Sequence, residues 1–255
     1  MDYLQDSIRK ISSRIDWILF SASLLLVGAG LVTMNSFVAS QNYFFEKQII
    51  WVVLSVVVFF VLSFIDFRFL RRTSVIVALF IISALVLVLI FFLGNFVLGA
   101  QSRFDFGLFS IQPSDPIKLV VILLLAKYFS RRHVEIANVK HILVSGFYTF
   151  VLFLLVFLQP DFGSAIIIAF IWFGMVLVSG ISKKHLLAVF MVGVIAFGGL
   201  WGYAFEDYQK QRILTFIHPL TDLQGTGYNA YQSTIAVGSG QVFGKGIGYG
   251  TQSKL

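Results

Sequence analysis

The stretch that decides the fold is VSGFYTFVLFLLVFLQPDFGSAIIIAFIWFGMVLV, residues 144–178, in which two apolar runs flank a short polar turn. The turn contains a proline, a carboxylate and a glycine, and Pro160 and Asp161 are residue types that begin helices. Extended to residues 142–158 and 163–180, each run approaches the roughly 20 residues that a helix needs to cross a bilayer. The stretch therefore predicts a helical hairpin with its turn at one membrane face.

The composition of the whole chain extends this prediction to a polytopic membrane protein. Of its 255 residues, 58% are hydrophobic and only 12% are charged, which is outside the range of soluble domains. We predict an all-α protein with seven transmembrane helices, at residues 17–37, 49–65, 74–93, 116–129, 142–158, 163–180 and 185–203. The fourth run is short, and we expect its helix to include residues from Ile111 onward.

The basic residues of the loops predict the orientation. One set of loops carries twelve Lys and Arg residues and the alternate set carries two, Lys47 and Arg103. Because cytoplasmic loops carry the excess of basic residues, the N-terminus is predicted to be cytoplasmic. The segment after Tyr203, residues 204–255, is then an extracytoplasmic loop.

Composition also excludes several functions. The net charge of +7 is explained by the loops that set the orientation, and the chain has no basic stripe of the kind that binds nucleic acid. We expect no nucleic-acid partner. The chain has no Cys, and its four His residues lack ligand spacing, so no disulfide and no metal site is predicted.

Two polar segments on the predicted outer side share a pattern. IQPSDPIK, residues 111–118, and LQPDFGSA, residues 158–165, each place Gln-Pro ahead of an apolar run. One explanation is that Asp115 and Asp161 are ordinary first-turn acids, which complement the helix dipole. The other is that Asp161 and Lys118 face a polar cavity, as ionisable groups at membrane depth usually do, although Lys118 can also extend toward the interface.

Basic residues near these segments favour an anionic ligand. Arg103, Lys118 and Arg212 are all on the predicted outer side. Together with two helix N-termini they suit a group such as phosphate. The glycines of residues 225–250 do not form a nucleotide-binding loop, because the spacing that such a loop requires is absent. We predict a short helix at Tyr228 to Val237, and the alternative is a flexible loop.

Three outer segments resemble the signature regions of the SEDS family, the shape, elongation, division and sporulation proteins that include RodA and FtsW. They are GAQSRFDFGLFSIQPSDPIKL, LQPDFGSA and RILTFIHPLTDLQGTGYNAYQSTIAVGSGQVFGKGIGYGTQSKL. The ending GTQSKL is more similar to RodA than to FtsW. The resemblance covers essentially the whole chain but only about the first two-thirds of a family member, so one incomplete SEDS-type domain over residues 1–255 is expected.

The resemblance implies a peptidoglycan glycosyltransferase of the bacterial cytoplasmic membrane that polymerises lipid II at its outer face. It implies a class B penicillin-binding protein, a transpeptidase, as partner, with other elongation or division proteins. No cofactor is implied, although a divalent cation can accompany the lipid pyrophosphate. The family's proposed catalytic Asp lies past the TQS element, so it is expected beyond Leu255.

Carried over residue by residue, the resemblance implies a substrate-binding set. Asp115 stands where the family usually has Glu, and His218 stands where it commonly has Asp. The set comprises Arg103, Gln112, Asp115, Lys118, Gln159, Asp161, Arg212, Gln232 and Ser233. We expect Asp161 to support the cavity and to pair with Lys118 or Arg212, since a paired carboxylate is a poor base.

Two other functions stay open at this point. A flippase or transporter of a lipid-linked precursor would use the same cavity for an anionic headgroup. A scaffold would only bind a partner's transmembrane helix. The chain itself is either a fragment of a longer enzyme or a truncated relative that cannot transfer glycosyl groups alone.

Overall fold

A computed structural model describes residues 15–35, 42–93, 95–97, 100–105, 110–130, 139–203, 205–218, 225, 227–246 and 249–250. The chain forms two compact units. Unit 1 contains residues 1–66 and 210–255, and unit 2 contains residues 67–209. The predicted site residues between Arg103 and Asp161 all belong to unit 2.

The described residues are mostly helical. In chain order the elements are α1 Trp17–Asn35, α2 Asn42–Phe64, a 3-10 helix Phe67–Arg71, α3 Thr73–Leu93, β1 Asn95–Val97, β2 Ala100–Asp105, β3 Ser110–Ile111, α4 Ser114–Ser130, α5 Val139–Phe157, α6 Phe162–Val178, α7 Lys183–Tyr203, α8 Asp207–Ile217 and α9 Tyr228–Gly240. Over the described residues each of the seven predicted apolar runs forms a helix, because a backbone in hydrocarbon must satisfy its hydrogen bonds internally. The short helix predicted at Tyr228 to Val237 is confirmed as part of α9.

Length and composition mark five of the described helices as able to cross a membrane. They are α1, Phe45–Phe64 of α2, Thr73–Phe92 of α3, α5 and α7, and α6 is a shorter apolar helix. The prediction of a multi-pass helical membrane protein is confirmed at this level. It missed a small antiparallel sheet, in which β2 lies between β1 and β3.

The core of unit 2 is built on one face of α4. Ile117, Val121, Leu125 and Phe129 recur every four residues and are all buried, which places them in one row along the helix. They pack against buried residues of α3, α5 and α6, namely Leu87, Leu152, Val156, Ala165, Ile168 and Val176. This packing holds α4 and α6 against each other, and their first turns lie side by side.

Small residues let α5 and α6 approach closely. A Cβ atom added at Gly146 of α5 would lie 3.2 Å from Cζ2 of Trp172 on α6. The indole Nε1 of Trp172 donates a hydrogen bond to Oγ of the buried Ser145, at 3.1 Å. Small residues and interhelical hydrogen bonds are the means by which helices associate in lipid.

The start of α4 differs from the predicted start. We expected the helix to include residues from Ile111 onward, but Ile111 belongs to β3, where it pairs with Phe104 of β2. The helix begins at Ser114, because the strand pairing holds the preceding residues in an extended conformation.

Aromatic contacts hold the turn between α5 and α6, residues 158–161. Phe205 is 5% exposed and contacts four rings, those of Phe157, Phe162, Phe197 and Trp201. The hydroxyl of Tyr208 donates to the carbonyl oxygen of Pro160, at 3.3 Å. We call the end of unit 2 that carries the sheet and this turn the sheet end.

Candidate functional site

The hairpin of β2 and β3 brings Arg103 to Gln112 at the sheet end. The pairs Phe104 with Ile111 and Asp105 with Ser110 set a register in which Arg103 lies opposite Gln112. Directly opposed residues present their side chains on the same face of the sheet. The Nε of Arg103 donates to Oε1 of Gln112, at 3.1 Å.

The amide of Gln112 connects this hairpin to the first turns of α4 and α6. Its Nε2 lies 2.9 Å from Oδ2 of Asp161, 3.0 Å from Oγ of Ser114 and 3.4 Å from Oγ of Ser164. Ser114 is 1% exposed and Ser164 is 5% exposed. We call these five residues, Arg103, Gln112, Ser114, Asp161 and Ser164, the polar cluster.

Asp161 both begins α6 and anchors the polar cluster. Its Oδ1 accepts a hydrogen bond from the backbone N–H of Ser164, at 3.2 Å, as the N-cap of the helix. Its Oδ2 accepts from Gln112 and from Oγ of Ser114, the latter at 3.3 Å. Asp161 is therefore a helix-start residue, as the first explanation from the sequence has it. That it faces a polar cavity stays a prediction.

Lys118 does not reach Asp161. Its Nζ lies 2.9 Å from Oδ1 of Asp115, three residues earlier on α4, a spacing at which helical side chains meet. The side chain of Lys118 is 20% exposed and that of Asp115 is 66% exposed. The expected pairing of Asp161 with Lys118 is thus replaced by hydrogen bonds from neutral groups, and the lysine pairs with its own helix neighbour.

Gln159 precedes a proline as Gln112 does, but its side chain lies in the buried interior of unit 2. It is 2% exposed, and its Nε2 donates to the backbone carbonyl of Leu87 on α3, at 2.8 Å. The side chain therefore braces the turn against α3 from inside the unit. The substrate contact predicted for Gln159 stays a prediction.

The remaining predicted site residues belong to unit 1. Arg212 is exposed on α8, and Ser233 is exposed on α9. Gln232 is half-buried on α9, and its Oε1 is buried without a hydrogen-bond partner in the described part of the chain. Their roles in substrate binding stay predictions.

The sequence missed two members of the polar cluster. Ser114 and Ser164 were not assigned to the site, yet each joins the hydrogen bonds around Asp161. Their positions carried a usable signal, since each lies in the first turn of a helix beside the Gln-Pro element that precedes it. In the ranges that the structure describes, no group of three or more His, Asp or Glu residues could hold a metal ion.

An apolar cavity of about 990 Å³ lies between α5 and α7. Its lining is almost entirely hydrocarbon and aromatic and includes Phe150, Phe153, Val192 and Ala196. Such a lining suits a hydrocarbon chain.

Comparison with known proteins identifies similar sequences over nearly the full chain. The family model for FtsW, RodA and SpoVE, described as cell cycle protein, matches residues 13–255. Stage V sporulation protein E of Bacillus subtilis strain 168 is 31% identical over 246 residues, which cover 93% of this chain and 67% of that protein. Peptidoglycan glycosyltransferase MrdB of Escherichia coli K12 is 38% identical over 178 residues, which cover 69% of this chain and 48% of that protein.

A solved structure has the same fold. It comes from a study of the structural coordination of polymerization and crosslinking by a peptidoglycan synthase complex, and it matches with a TM-score of 0.73 and 30% identity. The match covers 87% of this chain and 65% of the solved one. The chain thus spans about half to two thirds of the length of the proteins it resembles.

Proposed function

The chain belongs to the cell cycle protein family of FtsW, RodA and SpoVE, and we propose that the complete protein is a peptidoglycan glycosyltransferase that polymerises lipid II. The relative MrdB carries the name peptidoglycan glycosyltransferase. In this chain the observation that supports the proposal most is the polar cluster, which links the exposed Arg103 to the first turns of α4 and α6.

The proposed reaction places clear demands on the site. A sugar 4-hydroxyl attacks the anomeric carbon of another lipid II, a glycosidic bond forms, and the bond from that carbon to the lipid pyrophosphate breaks. The hydroxyl proton passes to a base while the leaving pyrophosphate gains negative charge, so a carboxylate and a cation are needed. Arg103 supplies an exposed cation at the sheet end.

Asp161 supports the site and is not its base in this proposal. Three donors already occupy its oxygens, one each from Gln112, Ser114 and the backbone of Ser164. Both carboxylate oxygens are therefore engaged in holding the turn and the polar cluster together. The substrate-binding set retains Asp115, Lys118, Arg212, Gln232 and Ser233 as proposed contributors.

The proposed topology has seven spans in the bacterial cytoplasmic membrane with the N-terminus inside. The sheet end then faces the outside, where lipid II is polymerised, and residues 204–255 are an extracytoplasmic segment of one SEDS-type domain. The twelve basic residues of the predicted inner loops against two in the outer loops that precede Tyr203 support this orientation. A divalent cation that accompanies the pyrophosphate stays a prediction.

A class B penicillin-binding protein is the proposed partner. The support is the similarity to a chain solved in work on a peptidoglycan synthase complex that coordinates polymerization and crosslinking. Other elongation or division proteins are proposed to join the same assembly. Polymerisation by this protein and crosslinking by its partner would then act on the same glycan chain.

Reconstitution of the complete protein in vesicles with lipid II tests the proposed function. We expect glycan chains to form, detected after separation by length, and no chains in protein-free vesicles. A headgroup that crosses the membrane without glycan product would favour the flippase alternative. Neither product nor translocation, with a bound partner, would favour the scaffold.

A further inference from the structure

We propose that Gln112 is a positioning residue, which transmits the fixed orientation of Asp161 to Arg103. The hydrogen bond to Gln112 restricts the side chain of Arg103 to a conformation in which its guanidinium can bind the pyrophosphate of a lipid-linked substrate. The inference rests on the proposed function for the identity of the anion. Its geometric basis is a chain of two hydrogen bonds, from Arg103 to Gln112 at 3.1 Å and from Gln112 to Asp161 at 2.9 Å.

The chemistry of the two ends determines how the amide of Gln112 is oriented. Arginine can only donate hydrogen bonds, and an ionised carboxylate can only accept them. Gln112 satisfies both with Oε1 toward Arg103 and Nε2 toward Asp161. In the reversed amide, the NH2 group would face the N–H of Arg103 and the carbonyl oxygen would face the carboxylate of Asp161. The observed orientation is therefore preferred. Few other side chains combine an acceptor and a donor at this reach.

The carboxylate end of the chain is fixed by the fold. Asp161 caps α6 through the N–H of Ser164, and the turn beside it is held from two sides. Gln159 donates to the carbonyl of Leu87, and Tyr208 donates to the carbonyl of Pro160. A carboxylate anchored in this way is a fixed reference point for the amide of Gln112.

The arginine end is exposed and retains binding capacity. Arg103 uses Nε for Gln112, and its two Nη nitrogens make no hydrogen bond to any described residue. Guanidinium groups bind phosphate oxygens in pairs. A long side chain loses conformational entropy on binding, and prior immobilisation reduces that loss. Gln112 therefore raises the affinity of Arg103 for an anion without touching the anion.

Exchanging the amide of Gln112 and the carboxylate of Asp161 tests the proposal in the complete protein. Gln112→Glu keeps the acceptor for Arg103 but opposes Asp161 with a second carboxylate, and Asp161→Asn removes the charged acceptor. Each single variant is expected to lower the affinity for undecaprenyl pyrophosphate and the rate of lipid II polymerisation about tenfold. The double variant keeps both bonds, because the new amide at 161 donates to the new carboxylate at 112, and we expect it to recover most of the loss.

Two further variants separate positioning from general damage. In an Arg103→Ala background, Gln112→Glu should cause little additional loss of binding, because Gln112 acts through Arg103. Ser130→Ala, at the opposite end of α4 from the polar cluster, should bind as the unchanged protein does. Among the described residues, its hydroxyl bonds only to the carbonyl of Lys127 on the same helix.

The outcomes distinguish this inference from the proposed function. If the unchanged protein makes no glycan but binding follows the exchange pattern, the proposed function fails and the role of Gln112 stands. If glycan is made but the double variant binds undecaprenyl pyrophosphate no more tightly than the single variants, the positioning role is overturned. It is also overturned if Gln112→Glu lowers the affinity as much in the Arg103→Ala background as in the unchanged protein. Absence of any binding of undecaprenyl pyrophosphate overturns it as well.

Discussion

Replacing Asp161 with alanine is expected to lower lipid II polymerisation by the complete protein at least about tenfold. The change removes the acceptor for Gln112 and Ser114 and the cap of α6 at Ser164. Loss of a cap destabilises by about 1 kcal/mol, and a buried donor without an acceptor by about 1–3 kcal/mol. The free energy of unfolding should therefore fall by roughly 2–4 kcal/mol. Thermal unfolding in detergent measures this effect as a lower unfolding temperature.

Asp161→Asn is the matched variant for this experiment. Its Oδ1 can still cap the backbone N–H of Ser164, so its unfolding temperature should fall less than that of Asp161→Ala. Its polymerisation should still fall, because the charged acceptor for Gln112 is gone. Polymerisation by Asp161→Ala at the unchanged rate, with normal expression, would show that the carboxylate has no role in the site.

Gly146→Leu is expected to destabilise the hairpin of α5 and α6 by roughly 2–4 kcal/mol. The first added atom would already lie 3.2 Å from the ring of Trp172, and the rest of the side chain would force the two helices apart. The hydrogen bond from Trp172 to Ser145 would be lost with the displacement. Thermal unfolding in detergent measures the effect.

The control for this substitution lies on α6 itself. A Cβ added at Gly174 would meet no atom within 4 Å, so Gly174→Leu should leave the unfolding temperature nearly unchanged. Equal effects of the two substitutions would mean that close approach at Gly146 does not hold the helices together.

Helix positions could be predicted from the sequence because the membrane leaves few choices. A long apolar run in hydrocarbon has to form a helix, and the runs around residues 142–158 and 163–180 became α5 and α6 with nearly the predicted bounds. Strand pairing between β2 and β3 was not predicted. It depends on contacts between segments rather than on local composition, and it determined where α4 begins.

The candidate site was predicted in part. The polar segments around Gln112 and Asp161 do meet, as their shared pattern ahead of two helices suggested. The sequence could not assign partners, however. Lys118 lies one helical turn after Ser114, which contacts Asp161. Its amino group nevertheless pairs with Asp115 on its own helix. Gln159 bonds a helix carbonyl of Leu87, an acceptor that no sequence pattern reveals.

The proposed function requires that the sheet end receives the headgroup of the lipid-linked substrate. Ser110 and Gln112 are two residues apart around β3, so their side chains share a face of the hairpin, and Ser110 is exposed. Ser130 is also exposed, at the other end of α4, about 25 Å away along the helix. These two serines are therefore a matched pair of sites for a photo-crosslinking amino acid.

Crosslinking of lipid II to each position in the complete protein, reconstituted in vesicles, tests that claim most directly. We predict a crosslinked lipid II product at position 110 and none at position 130, with the product at 110 reduced when Arg103 is replaced by alanine. A product at position 130 but not at position 110 would contradict the account, because it would place the headgroup at the opposite end of the helices.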